Sequence, residues 1–344
     1  MKPTDFARLL TRYLGQYLPA QRNLSRETIQ SYRDTFKLLL RFCHTERGWP
    51  AEQVTLAHLD RPCLEAFLDW IEGTRHCSIA TRNQRLAALH AFFRWVAYEE
   101  PNQIATTQRI LGIPRKKSPK PLVPYLTRKT IQKLLAQPDQ ATLQGRRDAV
   151  LLSLLYDSGA RVQELVDLLV RDVRLEEPCV VTLTGKGSKR RTVPLMTPTA
   201  HLVTAYLAER HLQGSAYADH PLFYNRQRQK LTRWGVTYIL KKYIARMENN
   251  SEVELPTVIS PHVLRHSKAV HLLQSGVNLI YIRDFLGHSD VTTTEIYARV
   301  DTEARRRALE ATRIPGEIPE LTSWTEDSDL VNWLHQLCTP PIKP

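Results

Sequence analysis

The feature that most limits the fold of this chain is a proline-rich basic segment about one third of the way along it. Residues 112–124 read "GIPRKKSPKPLVP", with four prolines close together. Proline fixes φ and has no amide N–H to donate, so neither a helix nor a central strand is expected to run through this segment. We therefore predict an extended basic linker at residues 101–124, with a separate domain on each side. A linker that crosses a phosphate backbone would have this composition, and so would one that joins two domains in solution.

Residues 1–100 are predicted to form a bundle of helices. Apolar residues recur at three- and four-residue spacing in "DFARLLTRYLGQYL", "SRETIQSYRDTFKLLLRFCHTERG", "DRPCLEAFLDWIEG" and "SIATRNQRLAALHAFFRWVAYEE". Ser25, Asp60 and Ser78 stand at N-cap positions. Arg82 and Arg85 are expected on exposed faces of this bundle. They are either contacts to a polyanion or ordinary solvated charges.

Residues 125–311 are predicted to form a second domain of mixed structure. Helical spacing appears in "TRKTIQKLLAQ", "GRRDAVLLSLLYDSG" and "ARVQELVDLLVRDV", and it resumes after residue 196. Between these helices, the β-branched runs "CVVTLTG" and "RRTVPL" flank "KGSK". This pattern predicts a β-hairpin with Lys186 and Lys189 in its turn.

The charge balance favours a polyanionic partner. The chain has 48 Lys and Arg against 35 Asp and Glu, a formal net charge of +13. Clustered cations neutralise phosphates and release counterions, although many basic proteins bind nothing of the kind. The five cysteines show no CxxC spacing, which predicts reduced thiols and neither a zinc site nor a disulfide frame. No window approaches the roughly 18 apolar residues of a membrane span, so we expect a cytoplasmic protein.

The segment "SPHVLRHSKAVHLLQSG" could bind an anion. Ser260 suits an N-cap and Pro261 the first helical position, which puts His262 and Arg265 on one face of the first turns. Backbone N–H groups also point outward there, and together they attract negative charge. The alternative is that both side chains are structural polar residues.

Two further segments carry cations. In "SGARVQELVDL", Arg161 and Glu164 share a helix face, and Glu164 could hold the guanidinium in place for a phosphate. An ordinary helical salt bridge would look the same. Lys186, flanked by glycines at the hairpin tip, could reach into a neighbouring site or a DNA groove, although lysine is common in β-turns.

The order of these pieces resembles a known family. The resemblance rests on "SGARVQEL" with Arg161, "TGKGSKRRTVPL" with Lys186, "HVLRH" from His262, "LGH" ending at His288, and "TTTEIYARV" with Tyr297. In order and approximate spacing they resemble the tyrosine recombinases, or phage-type integrases, and among these a Xer-like or transposon-encoded member. The likeness is strong over residues 125 to about 307, whereas the first third is similar in helical pattern only.

The resemblance implies a mainly α fold with a small β-hairpin or sheet. An N-terminal helical core-binding (SAM-like) bundle would precede a mixed α/β catalytic domain. It also implies a role for each site residue: Arg161 and Arg265 clamp the scissile phosphate, Glu164 orders Arg161, Lys186 is the general acid toward the leaving 5′ oxygen, His262 and His288 donate or relay protons, and Tyr297 is the nucleophile.

The implied chemistry needs no metal, ATP or other cofactor. Two arginines would stabilise the charge that attack spreads over the phosphate oxygens. A covalent phosphotyrosine link would conserve the bond energy for rejoining. Metal-dependent nucleases rely on carboxylate clusters, which these motifs lack.

The expected partner is double-stranded DNA carrying recombination sites, bound by a dimer on one site and by a homo-tetramer on paired sites, alone or with a related recombinase. The expected DNA contacts are Arg82, Arg85, Arg115, Lys116, Lys117, Lys189 and Lys268, although Lys268 could simply be exposed. We expect a site-specific recombinase of a mobile element that uses a 3′-phosphotyrosyl intermediate. A Xer-type chromosome or plasmid dimer resolvase, a non-catalytic DNA-binding protein of the same fold and a type IB topoisomerase stay open.

Residues 312–344 form an acidic tail with 2 basic and 5 acidic residues. An apolar stripe at helical spacing runs through Leu330, Trp333, Leu334 and Leu337. Such a stripe must be buried, either on its own domain or on a neighbouring protomer. The second arrangement, typical of this family, is the one that we favour.

Overall fold

The computed structural model describes residues 2–118, 123–247, 255–256, 259–288, 294, 296–297 and 332–334, and of Lys186 only the backbone. The chain divides into two compact units, Met1–Pro121 and Leu122–Pro344. Within the described ranges, no helix is long and apolar enough to cross a membrane. The predictions made for residues 312–344 fall outside these ranges, apart from residues 332–334.

The first unit is a bundle of helices around an aromatic core. Its α-helices are α1 (Asp5–Arg12), which continues in a wider helical segment (Tyr13–Gln21), α2 (Arg26–Arg47), α3 (Arg61–Gly73), α4 (Ile79–Glu99) and α5 (Ile104–Leu111). Short 3-10 turns are found at Ala51–Gln53, Leu56–His58 and Pro101–Gln103. The predicted caps Ser25, Asp60 and Ser78 each accept a backbone N–H in the first turn of α2, α3 and α4.

The segment predicted as a linker begins with ordered structure. Helix α5 lies inside residues 101–124, because Ile110 and Ile113 are buried against the bundle and stabilise the helix. The expectation that Arg82 lies on an exposed face of the bundle was wrong. Its side chain is 5% exposed and donates to the carbonyl oxygen of Pro114, so it anchors the chain that leaves the bundle.

The second unit packs helices around a small sheet. Its α-helices are α6 (Arg128–Leu135), α7 (Leu143–Asp157), α8 (Val162–Val166), α9 (Thr197–Glu209), α10 (Arg233–Ala245), α11 (Pro261–Gln274) and α12 (Leu279–Leu286). The strands are β1 (Val173–Arg174), β2 (Val180–Thr184) and β3 (Arg190–Pro194), and short 3-10 turns lie at Val170–Asp172, Lys186–Ser188 and Ser215–Tyr217.

The sheet is antiparallel in the order β1-β2-β3. Val181, Leu183 and Val193 point into the core, and Leu183 is paired with Arg191. The predicted hairpin of β2 and β3 is therefore confirmed. The long helix predicted from "ARVQELVDLLVRDV" was wrong, because α8 ends at Val166 and Val173 pairs with β2 instead.

Helices α11 and α12 carry a smaller apolar cluster beside this core. It contains Ala269, Val270, Ile282, Leu286 and the ring of Tyr297. Pro261 occupies the first position of α11, as predicted, and Gly287 ends α12 in the left-handed conformation. This packing fixes the end of α12 and the ring of Tyr297 against α11.

Candidate active site

Arg161 and Glu164 are joined at the N-terminus of α8. Nη1 of Arg161 donates to Oε1 of Glu164 at 2.7 Å, and the backbone N–H of Arg161 donates to Oε2 at 2.9 Å. Glu164 is 3% exposed, whereas about a third of the Arg161 side chain faces solvent. The carboxylate thus holds the guanidinium at its base and leaves its outer edge accessible.

Arg191, on β3, is a second partner of the same carboxylate. Its Nη2 donates to Oε2 of Glu164 at 2.7 Å, and its Nε donates to the carbonyl oxygen of Phe285 at 2.9 Å. Burial raises the pKa of Glu164, but the hydrogen bonds from Arg191 and Arg161 outweigh burial and lower it. Glu164 is therefore ionised and orders two guanidinium groups.

Arg265 lies on α11 and is almost fully buried. Nη1 donates to the carbonyl oxygen of Gly159 and Nη2 to that of Leu286, both at 2.6 Å. Burial, followed by the positive charges of Arg161 and Arg191, lowers the pKa of Arg265 to about 9. The group is still protonated at neutral pH, and an anion placed among the three guanidinium groups would relieve this strain between like charges.

Two glycines permit close approach of the backbone to these arginines. A Cβ atom on Gly185, at the base of the hairpin turn, would lie 3.0 Å from Oε1 of Glu164. The turn Lys186–Ser188 therefore starts directly beside the Arg161–Glu164 pair. Gly287 has φ +63°, and its carbonyl oxygen accepts from Nη2 of Arg161 at 3.4 Å.

Tyr297 lies in the same site with its ring buried. The residue is 1% exposed, and its Oη shares a hydrogen bond with Nδ1 of His266 at 2.8 Å. Burial raises the pKa of Tyr297, while the charges of Arg265 and Arg161 act in the opposite direction. The ring packs in one cluster with Leu286, whose carbonyl oxygen accepts from Arg265.

His266 and His288 lie beside Tyr297, and His262 lies beside His266. The rings of His288 and Tyr297 are stacked with centroids 6.4 Å apart, and Nδ1 of His288 is hydrogen-bonded to Oγ1 of Thr294. The ring of His262 is 6.4 Å from that of His266. Burial, followed by neighbouring positive groups, lowers the pKa values of His266 and His288 to about 4 and also lowers that of His262. All three are neutral at physiological pH.

The predicted catalytic residues come together in the second unit. Arg161, Glu164, Arg265, His262, His288 and Tyr297 surround one region, and Arg161, Gly185, Lys189, Arg190, Arg191 and His288 line a pocket that opens to solvent. The backbone of Lys186 lies in the turn at its edge. The pocket that Arg161 and His288 line is therefore bordered by further lysine and arginine residues.

The residues predicted to contact DNA differ in their exposure and in their hydrogen-bond and ion-pair partners. Arg85 donates to Ser31 and Thr35 within the first unit, and Lys116 pairs with Glu72. Lys268 is paired with Asp157 at 3.3 Å, and its side chain is 15% exposed. Lys189 is exposed at the pocket. Arg115 and Lys117 are exposed too.

Two residues of the site escaped the sequence analysis. Arg191 shares the inward face of β3 with Val193, and an arginine on a core-facing position was a usable signal. His266 falls three residues after Val263 and four before Val270, on the apolar stripe of α11. Both are polar side chains at positions where periodicity requires an apolar one.

The arrangement can bind and polarise an anionic oxygen. Guanidinium groups with a fixed orientation and low solvent exposure stabilise developing negative charge strongly, because they need not reorganise. The phenol of Tyr297, in the same site, is a group that can attack phosphorus as a nucleophile. In the part of the chain that the structure describes, no cluster of three His, Cys, Asp or Glu residues could hold a metal ion.

Comparisons with known proteins give matches over both units of the chain. The model of the phage integrase family matches residues 124–304, and that of the phage integrase N-terminal SAM-like domain matches residues 10–100. A Sinorhizobium fredii protein, provisionally named integrase/recombinase y4rC, is 36% identical over 90% of this chain and 92% of its own length. Tyrosine recombinase XerD of Xanthomonas axonopodis pv. citri is 34% identical over 87% of this chain and 95% of its own.

A solved structure has the same fold. The Tn1549 transposon integrase in complex with transposon right end DNA superposes with a TM-score of 0.67 and 17% identity, over 87% of this chain and 98% of that chain. At this identity the likeness extends to the fold alone. Because the family model spans more than half of its residues and relatives above 30% identity cover most of its length, the chain belongs to the phage integrase family of tyrosine recombinases, enzymes that cleave and rejoin DNA strands.

Proposed function

We propose that this protein is a site-specific DNA recombinase that cleaves each strand with Tyr297 and rejoins it without metal or ATP. The single observation that carries the proposal is that Tyr297 packs in one cluster with Leu286, whose carbonyl oxygen accepts from Arg265 of the same chain. In this assignment the two arginines bind the scissile phosphate. The attacking oxygen and the guanidinium groups come from one protomer, so cleavage occurs in cis.

The remaining residues have supporting roles in this proposal. Glu164 orders Arg161 through the two hydrogen bonds described above. Lys186, on the turn beside that pair, protonates the leaving 5′ oxygen. His262 and His288 donate or relay protons at the phosphate oxygens. Their lowered pKa values make them neutral donors, which avoids a further positive charge beside Arg161 and Arg265.

A nicked suicide substrate tests the assignment. Its cleavage releases a short fragment, so the covalent adduct of protein and DNA accumulates and can be counted on a denaturing gel. Tyr297→Phe should form no adduct and still bind DNA. Tyr281→Phe is the matched control, because Tyr281 is a 70% exposed tyrosine on the neighbouring helix α12. An adduct in Tyr297→Phe would overturn the proposal.

Mixing two inactive variants tests cleavage in cis. Tyr297→Phe retains the arginines, and Arg161→Gln retains the tyrosine. If one protomer supplies both groups, every site in the mixture lacks either Tyr297 or Arg161, and the mixture forms no adduct. Restored adduct formation would show that the tyrosine acts on a phosphate bound by another protomer.

The biological role that we favour is recombination of a mobile element, in the cytoplasm, by a tetramer on two sites. The provisional integrase/recombinase name of the Sinorhizobium relative supports it, whereas the XerD relative supports the second candidate, resolution of chromosome or plasmid dimers.

Sedimentation with one site and with two sites should give a dimer and a tetramer. Activity on the inverted repeats that flank the gene would favour the mobile element, and activity on a chromosomal dimer site alone would favour the second candidate. Deletion of residues 320–344 should abolish tetramers if the tail docks on a neighbour.

A further inference from the structure

His266 is the histidine that contacts the oxygen of Tyr297. The distance from Nδ1 of His266 to Oη of Tyr297 is 2.8 Å, and the two rings are inclined by 51° with centroids 5.6 Å apart. The ring of His288 lies nearly parallel to that of Tyr297, with centroids 6.4 Å apart, and its Nδ1 bonds to Thr294 instead. From this geometry we propose that His266 is the general base that removes the phenolic proton of Tyr297 during strand cleavage and returns it during rejoining.

The proposal rests on the function proposed above and adds one residue to it. General-base catalysis requires an acceptor within hydrogen-bond reach of the proton, at about 2.6–3.2 Å between heavy atoms. His266 satisfies this requirement. It is also rigidly placed, because it lies between buried residues Arg265 and Ser267 of α11.

The electrostatics keep His266 able to accept a proton. Burial, followed by electrostatic interactions with His262 and Arg265, lowers its pKa to about 4, so the ring is neutral at physiological pH. The groups that act on it are His262 and Arg265 on α11, Tyr297 and His288. A DNA phosphate bound to Arg265 brings a negative charge that offsets the charge of Arg265 and raises the basicity of His266 when substrate is present.

The proton transfer balances with bond formation. As the Tyr297 oxygen forms its bond to phosphorus, its O–H bond breaks and the proton moves to Nδ1 of His266. The bond from phosphorus to the 5′ oxygen breaks, and that oxygen takes a proton from the general acid assigned to Lys186. His266 is then an imidazolium ion. In rejoining, the 5′ hydroxyl gives its proton back to Lys186 as its oxygen bonds to phosphorus. The bond from phosphorus to the Tyr297 oxygen breaks, and His266 returns its proton to the departing phenolate oxygen.

Substitution by asparagine separates holding the tyrosine from deprotonating it. The amide of His266→Asn can occupy the place of Nδ1 and accept a hydrogen bond from Tyr297, but it cannot take the proton. We expect adduct formation at neutral pH to slow by about 10²- to 10⁴-fold, the usual contribution of a general base. The rate should then rise with pH in proportion to the phenolate fraction, while wild-type protein should show little dependence above neutral pH.

His271 supplies a matched control on the same helix. Its Nδ1 is hydrogen-bonded to Oη of Tyr156, also at 2.8 Å, and it is buried as well. His271→Asn therefore alters a histidine–tyrosine hydrogen bond of the same length and leaves the contacts of Tyr297 unchanged. It should retain adduct formation and its weak pH dependence. DNA affinity and thermal unfolding of both variants report on folding, and His266→Gln replaces the Asn variant if that chain does not bind DNA.

A more acidic nucleophile gives an independent readout. Fluorinated tyrosine incorporated at position 297 loses its proton more easily, so it should restore much of the rate in His266→Asn and change the wild-type rate little. Retention of the wild-type rate by His266→Asn, or an equal loss at every pH with no rescue by fluorotyrosine, would overturn the role as a base. Absence of any adduct at Tyr297 in the wild type would overturn the proposed function instead.

Discussion

Arg191 donates from Nη2 to Oε2 of Glu164 at 2.7 Å, and this contact links the sheet to the N-terminus of α8. Both side chains are largely excluded from solvent. Glu164 also accepts from Arg161, so one buried carboxylate compensates and orders two cations that belong to different elements. A buried charge that loses its partner is costly, and the site therefore depends on Glu164 for its stability as well as for its geometry.

Glu164→Gln should weaken the fold and the activity together. The amide is neutral, so Arg191 is left as a buried cation without its anion. We expect the free energy of unfolding, measured in denaturant, to fall by about 3 kcal/mol. Adduct formation should fall because Arg161 is no longer held. Asp219→Asn is the control, since it breaks an exposed ion pair with Arg171 in the same unit and should change neither quantity appreciably. Equal behaviour of the two variants would contradict the role given to Glu164.

Gly287→Ala tests the close approach of the backbone to Arg191. Gly287 has φ +63°, and a Cβ atom there would lie 3.0 Å from Nη1 and 3.1 Å from Cδ of Arg191. The backbone conformation alone costs roughly 1 kcal/mol with alanine, and the contact also displaces Arg191. We expect slower adduct formation. Gly276→Ala carries a similar backbone cost, at φ +83° with open space around it, and should keep the rate of the wild type.

The sequence could predict the parts of this fold that local rules determine. Ser25, Asp60 and Ser78 were recognisable caps, and the hairpin followed from β-branched runs around glycines. Helix α5 and strand β1 were missed because long-range burial of Ile110 and pairing of Val173 decide them. Tertiary contacts of this kind override local periodicity.

The site was predictable in composition and less so in its connections. Arg161, Arg265 and Tyr297 were placed together by the family resemblance, and their order in the chain carries that information. Which histidine contacts Tyr297 depends on how α11 turns against the segment that bears the tyrosine. His266, next to Arg265 in sequence, makes the hydrogen bond, and no spacing rule distinguishes it from His262.

Lys189 and Lys268 should differ in their effect on DNA binding. Lys189 is exposed at the pocket, whereas Lys268 pairs with Asp157 and lies 4.9 Å above the ring of Tyr156. Lys189→Gln should reduce the slope of log affinity against log salt by about 1, as expected when one phosphate contact is lost. Lys268→Gln should leave the slope unchanged and lower the melting temperature. Fluorescence anisotropy at several salt concentrations measures both slopes, and a reduced slope in Lys268→Gln would give that lysine a phosphate contact.

Stability should fall as the pH drops from 7 toward 5, and His271 should account for part of the loss. Burial, followed by the charges of Arg128 and Lys268, lowers the pKa of His271 to about 4, against about 6.5 for an unfolded histidine. Between these values the unfolded chain binds more protons than the folded chain, so stability increases with pH and is fully present above the unfolded pKa.

Proton uptake on unfolding near pH 5.3 measures this difference directly. His271→Asn should take up about one proton fewer than the wild type, since the unfolded chain has lost one histidine that the folded chain kept neutral. An unchanged uptake in His271→Asn would show that burial of His271 does not exclude its proton, and the pH dependence of stability would then have another source.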